Sequence, residues 1–582
     1  MAQKLDKVDV VVVGSGWAGG IIAAELTKAG HKVKILERGK DQERSDFIGV
    51  KDELRYTNRH EMMEKLTGDT ITSRVGVDDV ALPVRLRSEL NTGTALGGGS
   101  THWAGSVYRW RPYDFEIRSK TIERYGEKKI PDGMTIQDWG ITYDELEPYY
   151  DKWEKMAGIS GEPDPLGDKR SDDYPNPPMK ASPAIKLFKE KTKEMGLNPY
   201  QMASANMSQT YTNPDGQTLN QCMFCAFCTM YGCDFSAKSD PLVTVIPTAM
   251  DTGNCEIRTH ALVRRVLHKD GKATGVMFVD TRTGQEFEQP ADVVVLAAFT
   301  FSNNRLLMLS EIGEMYDPKT RKGVIGRNFT GQFNSTFLGA TGFFEDKKFN
   351  YYMGAGGLGG ALSDYDADIF DHTDLDFIHG GGIELRQYGD GAIKNNFVPK
   401  GTPMWGQEFK EKSLHYAYRT LTVWYSAAVM PWWHNFLDLD PTYKDEFGDP
   451  LLRVTNKLTD QDKNIAKFGI EKCTEIVEAL GADIVDPDEV PEQFDHLYGG
   501  MHYIGGVVMG DDPETSAVNT YSQMWEMDNL FVVGGSSFPH FSSHHPTPTI
   551  AAFAYRAAEG VEKFLKDGGM VEKAKAKRSV QA

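Results

Sequence analysis

The chain has 582 residues, 40% hydrophobic, 25% charged and 11% aromatic, the profile of an ordinary folded protein large enough for two packed domains. Its 64 basic and 83 acidic residues give a formal charge of −19, which argues against a nucleic-acid partner. No run of about 18 apolar residues could span a bilayer, and MAQKLDKVD enters the first strand without an export signal, so a cytoplasmic chain with no membrane span of its own is expected.

Near the N-terminus, DVVVVGSGWAGGIIAAELTKAGHKVKILERG follows the order strand, turn, helix, strand. Val10 to Val13 are the β-branched run of a buried strand, an apolar 3.6-residue period marks the helix, and the second strand ends at Glu37. Gly14, Gly16 and Gly19 form G-x-G-x-x-G. The first permits the tight turn, the second lets backbone approach a pyrophosphate at the helix N-terminus, and the third lets helix and strand pack closely. Trp17 and Ala18 lie within this turn. Glu37 stands where a carboxylate accepts hydrogen bonds from ribose hydroxyls, which disfavours a 2′-phosphate and hence NADP, and Arg38 follows it. The pattern predicts a bound dinucleotide, FAD or NAD.

A second glycine-rich segment, TALGGGSTHWAGSVYRWRP, holds Gly98, Gly99 and Ser100 ahead of His102 and Trp103. Its glycines permit another close backbone approach, and the aromatic residues exceed what a plain turn needs. Further on, QCMFCAFCTMYGC places Cys222, Cys225, Cys228 and Cys233, four of the six cysteines, within twelve positions. Six cysteines are too few for a disulfide framework. The C-x2-C-x2-C spacing suits an iron–sulfur cluster, with Cys233 as a fourth thiolate or a spare; buried thiols that bind nothing are the other reading. Cys255 and Cys473 read as isolated core residues.

From Cys255 to Ala298, alternating residues with turns at KDGK and RTGQ predict a meander that returns to the nucleotide sheet. At the C-terminal end NLFVVGGSS predicts a buried strand and Thr549 onward a helix, joined by a histidine-rich loop. Four of the fourteen histidines, His502, His540, His544 and His545, fall within 44 residues. A general base working near neutral pH is most often His.

VVVGSGWAGG with its distant ERG, GGGSTHW, ADVVVLAA with NNRLLMLS, GRNF, MHYIGGVVMG and NLFVVGGSSFPHFSSHHPTPTIAAFAYRAAE resemble the glucose-methanol-choline (GMC) oxidoreductases in order and spacing along nearly the whole chain. The resemblance implies an α/β fold, α+β overall. A Rossmann-like FAD-binding domain would comprise residues 1 to about 150, about 215 to 330, and 495 to 582. A discontinuous substrate domain on an antiparallel sheet would comprise 151 to 214 and 331 to 494. It also implies FAD as the dinucleotide and oxidation of an alcohol carbon to a carbonyl. IERYGEKKIPDGMTIQDWGITYDELEPYY, GTPMWGQEFK and NFLDLDPTYKDEFGDPLLRVT are similar to segments of gluconate 2-dehydrogenase flavoprotein subunits. The implied substrate is therefore a sugar acid or sugar oxidised at a secondary hydroxyl. Implied partners are a small subunit and a cytochrome or quinone acceptor, and through them a periplasmic or membrane-associated location.

Carried over residue by residue, His502 in H-x-x-G-G matches the family histidine at the flavin N5 face, and His545 takes the second place of the pair. The implied chemistry removes the hydroxyl proton at His502 while hydride passes to flavin N5, with His545 orienting the hydroxyl and stabilising the alkoxide; which histidine is the base stays open. Val263 would meet the adenine through its backbone, and Gly535, Pro546 and Thr547 complete the cofactor set. STHW resembles the loop of pyranose 2-oxidases, which makes His102 a candidate for covalent attachment of the flavin, packing on the ring being the alternative. The three-cysteine spacing recurs in multi-subunit sugar dehydrogenases, which favours a cluster of three-iron type. Trp424, Trp432 and Trp433 are candidates to stack on a sugar ring, against the core role usual for such tryptophans. A glucoside 3-dehydrogenase, an oxygen-using enzyme of pyranose oxidase type, and a lyase-like flavoprotein with structural FAD are the alternatives.

Overall fold

The computed structural model describes residues 2–47, 54, 62–86, 90–350, 353–387, 397–493 and 501–574. The domain boundary expected at 495 lies outside the described residues.

The β-branched runs build the centre of the first sheet. Strand Val8–Val13 lies between Val33–Leu36 and the long strand Glu286–Leu296, all parallel. Cys255–Arg258 pairs outside Val33–Leu36, and Leu530–Val532 pairs with the end of Glu286–Leu296. Strands covered on both faces are apolar throughout, which accounts for the unbroken valine runs. Val13 is in register with both Leu36 and Leu296, so these strands finish together and their C-terminal ends form one rim. The first half of Glu286–Leu296 pairs antiparallel with Lys272–Asp280, which pairs with Ala261–Lys269, as the meander requires. Helix Trp17–Lys28 is buried along almost its whole length because Val245–Asp251 and Thr547–Asp567 both pack on it. Among the described residues no helix is long and apolar enough to cross a membrane.

The second sheet has six antiparallel strands in the order Ile484–Pro487, Phe337–Phe343, Thr420–Ala427, Gly381–Arg386, Gly359–Leu362, Tyr200–Gln201. Helix Asp460–Ala479 covers one face, burying Ala466, Ile470, Cys473 and Val477, whose spacing puts them on one stripe. Gly469 lets the helix settle on the sheet, since a Cβ there would stand 1.9 Å from the Tyr425 ring. Thr459 and Asp462 start the helix by exchanging side-chain-to-backbone hydrogen bonds. The other face of the sheet looks toward the rim of the first, and the cavity described below lies between them.

Cys473 is fully buried, as expected. Cys255 corrects the expectation of a core residue: it heads an edge strand and is only partly buried, because an edge leaves one side of the strand uncovered.

Candidate active site

A cavity of about 430 Å³ runs from the first glycine turn to the second sheet. All the expected cofactor residues line it except Gly19. The three glycines of the motif separate by what surrounds them. Gly14 has φ +99°, and a Cβ there would fall 2.5 Å from the Ala297 carbonyl oxygen; a Cβ on Gly19 would fall 2.0 Å from the Gly14 carbonyl oxygen, so Gly19 serves the packing of helix on turn. Gly16 has an ordinary φ of −66°, and an added Cβ would meet no protein atom within 4 Å. Its side of the turn faces open cavity, as a ligand that presses on the backbone needs.

The second glycine turn faces the first. A Cβ on Gly98 would stand 3.5 Å from Gly16 Cα. Ser15 holds the two together: its hydroxyl accepts from Gly97 N at 2.9 Å and donates to Glu37 at 2.6 Å. The other Glu37 oxygen accepts from Gly39 N at 2.8 Å. At the far end the ladder slips between Val263 and Arg265, the kind of irregularity found where a strand borders a site. Two facing glycine turns, a braced carboxylate and a helix N-terminus fit a dinucleotide.

His502 and His545 come together at the second-sheet end, ring centroids 4.8 Å apart. The pairing of Thr330–Gly331 with Tyr503–Ile504 sets His502 beside Gln332. Gln332 Nε2 donates to Ser426 Oγ at 2.9 Å, which turns its Oε1 to His502 Nδ1 at 2.8 Å. An oxygen acceptor there requires the proton on Nδ1 and leaves a lone pair on Nε2. Burial, with the Arg386 charge adding to it, pushes the His502 pKa down to about 3, so the ring is neutral at physiological pH. His545 is held well below its ordinary value by burial first, then by Arg386 and His502. It stands one residue before Pro546, the N-cap of helix Thr547–Asp567, whose N-terminal turn also lines the cavity.

The other two histidines of the cluster serve the scaffold. His544 stacks on Tyr108 at 4.2 Å. His540 and His379 both put Nε2 on Asp114 Oδ1, at 3.3 and 2.8 Å. Among the described residues this is the one group tight enough to hold a single metal ion. His379 Nδ1 accepts from Gly380 N and His540 Nδ1 from Trp139 Nε1, so both rings carry their proton on Nε2 and offer no lone pair to a metal. Burial raises the Asp114 carboxyl pKa, and the two imidazoles outweigh it and hold it well below the usual range.

The cysteine loop borders the same cavity through Thr229 and Met230. Met230 N donates to the His102 carbonyl at 2.8 Å, and the buried Lys238 ammonium donates to the carbonyls of Trp103, Cys228 and Tyr231 at 2.8 to 2.9 Å. Phe224, Ala226, Met230 and Ser236 all take positive φ, so the loop coils tightly. Three of them accept hydrogen bonds: Cys222 from Phe224 N, Cys233 from Ala237 N, Cys228 from Asn206 Nδ2, at 3.4 to 3.6 Å. Burial pushes the Cys222 and Cys228 thiols up, with Lys238 opposing it at Cys228. The four thiols are the donor type that an iron–sulfur cluster takes, and Cys222, Cys228 and Cys233 accept N–H···S bonds.

Gln332 and Arg386 stand at the histidine pair without any sequence motif to announce them. Of the three candidate stacking tryptophans, Trp424 lines the cavity, while Trp433 lies under Arg321 and Trp432 packs beside Met134, away from it.

Models of the GMC oxidoreductase family match residues 134–333 and 432–554, and the chain belongs to that family, whose members are FAD-dependent oxidoreductases. The gluconate 2-dehydrogenase flavoprotein of Pantoea cypripedii is 39% identical, the match covering 98% of this chain and 96% of that one. The 2-methyl-1,2-propanediol dehydrogenase of Mycolicibacterium austroafricanum is 29% identical over 97% of each. The fructose dehydrogenase large subunit of Gluconobacter japonicus is 24% identical over 98% of this chain and all of that one. Pyridoxine 4-oxidase from Mesorbium loti shares the fold, with a TM-score of 0.57 at 18% identity over 95% of this chain and 98% of its own.

Because Gly16 faces the cavity and no protein atom, Gly16→Val should leave the melting temperature of the cofactor-free protein unchanged and weaken FAD binding about tenfold or more. Unchanged affinity by fluorescence titration would show that the turn does not touch the cofactor.

Proposed function

We propose that the protein is an FAD-dependent dehydrogenase that oxidises a secondary hydroxyl of a sugar acid or sugar, as a gluconate 2-dehydrogenase flavoprotein does. A small partner subunit assists, and a cytochrome or quinone receives the electrons. Any periplasmic or membrane-associated location would come through that partner, the chain otherwise being cytoplasmic. The observation that carries the reading is the neutral His502–His545 pair at one end of a dinucleotide cavity, supported by the 39% identity to the Pantoea flavoprotein.

Bound FAD would supply the acceptor for the hydride that leaves the carbinol carbon. The protein handles the proton. His502, its Nδ1–H spent on Gln332, turns Nε2 to the substrate hydroxyl and takes the proton as the carbon is oxidised. His545 orients the hydroxyl oxygen, and the N-terminus of helix Thr547–Asp567 lowers the cost of negative charge there.

The cysteine loop is the proposed electron exit. Cys222, Cys225 and Cys228 would hold a three-iron cluster, with Cys233 spare or a fourth ligand, and their protons would leave on metal binding. The bond from Met230 to the His102 backbone supports this by placing the loop beside the cavity wall. His102, in that wall, is the proposed point of covalent flavin attachment.

Anaerobic mixing of the FAD-loaded protein with aldonates, aldoses and ketoses should bleach the flavin with at least one of them. The rate should be flat between about pH 5 and 8, because the His502 pKa is pushed down to about 3 and its base form persists throughout. His502→Ala should slow bleaching about a hundredfold or more with FAD retained; bleaching at the unmutated rate would remove His502 from the chemistry. Protein purified without oxygen should carry about three irons per chain and keep its flavin through acid precipitation. Absence of iron would make the thiols structural, and flavin released by acid would end the covalent assignment.

A further inference from the structure

His502 and His545 are held by different means. His502 Nδ1 is tied to Gln332 at 2.8 Å. His545 Nδ1 is buried and has no hydrogen-bond partner among the described residues, and the ring meets Arg386 at Nε2. Its backbone is the better constrained part. Pro546 follows and narrows the φ and ψ open to it, and helix Thr547–Asp567 is pinned in its first turn by the bond between Thr549 Oγ1 and the Tyr150 hydroxyl at 2.7 Å. The residue before His545 therefore decides where its ring goes.

That residue, His544, is gripped from four directions. Its ring lies flat on Tyr108, with 4.2 Å between centroids and 4° between planes, and the same tyrosine meets the His545 ring at 5.8 Å and 65°. The Trp110 indole N–H donates to the His544 carbonyl at 3.0 Å. Nε2 lies 3.2 Å from Asp366, a buried carboxylate that also accepts from the Ser543 hydroxyl and pairs with Arg111 at 3.1 Å. The fourth contact is with bare backbone: a Cβ on Gly382 would stand 2.2 Å from His544 Cε1, so the ring has room only because that residue is glycine. Tyr108, Trp110 and Arg111 all come from SVYRWRP, the aromatic continuation of the second glycine segment.

Register links this socket to the other histidine. Gly382 is the Cα partner of Ser426 across strands Gly381–Arg386 and Thr420–Ala427. Ser426 accepts from Gln332, and Gln332 holds His502. One cross-strand pair thus carries the support of both rings, whose centroids are 4.8 Å apart. A shift of the His544 ring on Gly382 would move His545 relative to His502, and a misplacement of about 1 Å can cost on the order of a hundredfold in rate.

We propose that His544 is a positioning residue: seated on Gly382 between Tyr108 and Asp366, it sets the His545 ring against His502. The proposal rests on the reading of the histidine pair as the site of carbinol oxidation and adds the residue that aligns it. His544 is not part of the cavity wall, so it acts through His545 and not on the substrate.

The test is a double-mutant cycle on FAD-loaded protein, read as the limiting rate of anaerobic flavin reduction by whichever of D-gluconate, D-glucose and D-fructose bleaches it. His544→Ala should lower that rate about ten- to a hundredfold, with FAD retained and half-saturation little changed. In a His545→Ala background the same change should cost nothing further, since the ring it aligns is gone. His544→Gln, which can still reach Asp366, should recover part of the loss, and Gly382→Ala, which evicts the ring, should reproduce it. Either of these two takes its place in the cycle should His544→Ala not fold. An unchanged rate in the single variants, or an equal loss with and without His545, would overturn the proposal. A crystal structure of the same variant gives a readout that needs no substrate. His545 should leave its place beside His502 while both sheets stay as they are, and an unmoved ring would overturn the proposal. If none of the three compounds bleaches the unmutated protein, the dehydrogenase reading falls, and this structure alone decides whether His544 positions His545.

Discussion

The site depends on a place where two backbones approach with no side chain between them. Gly16 and Gly98 lie side by side in the cavity wall, and Ser15 locks the two turns by accepting from Gly97 and donating to Glu37. Each of these positions is cheap in covalent terms and demanding in space. The valine strands that end in register supply the rigid rim from which the first turn projects. Everything that distinguishes the site, the histidine pair at one end and the cysteine loop at the side, is positioned along the channel that these turns open.

Electrostatics then separates the functions of that channel. At the Val263 end, arginines and aspartates share the wall and neutralise one another. At the other end Arg386 borders the cavity and pairs with Glu384, which is buried outside the wall. Burial of both rings, with the Arg386 charge adding to it, keeps His502 and His545 neutral, which is the state in which an imidazole can accept a proton. The scaffold that holds this end is polar and buried. Asp114 collects two imidazoles and Asp366 meets Arg111, Ser543 and His544, so the histidine loop is fixed through its non-reacting members. Groups paired in this way are costly to break, by roughly 3 to 5 kcal/mol for loss of one partner.

How much of this was legible in the sequence follows from the range of the interactions. G-x-G-x-x-G and its flanking valine runs are local, and the strand, turn and helix appear where their periodicity puts them. The positions of His502 and His545 came through likeness to a family, because nothing within a few residues of either tells a cavity histidine from His540 or His544, which bind buried carboxylates instead. Gln332 and Arg386 were invisible: they reach their histidines across 170 and 159 residues of chain, and a lone Gln or Arg on a strand carries no spacing signal. Trp424 and Trp433 illustrate the same limit, since only the fold decides that one borders the cavity and the other sits beneath Arg321. Cys255 was misread as core because its strand lies at the sheet edge, a fact of strand order that sequence does not encode.

The most direct test of the central claim, that carbinol oxidation at the His502–His545 end of the cavity feeds the bound FAD, is rapid anaerobic mixing of the FAD-loaded protein with an aldonate deuterated at the carbinol carbon. The expected result is flavin bleaching that is measurably slower than with the protiated substrate, because the C–H bond breaks as the flavin is reduced. Bleaching at the same rate with both would place the slow step elsewhere, and no bleaching by either, with FAD bound and the chain folded, would contradict the claim.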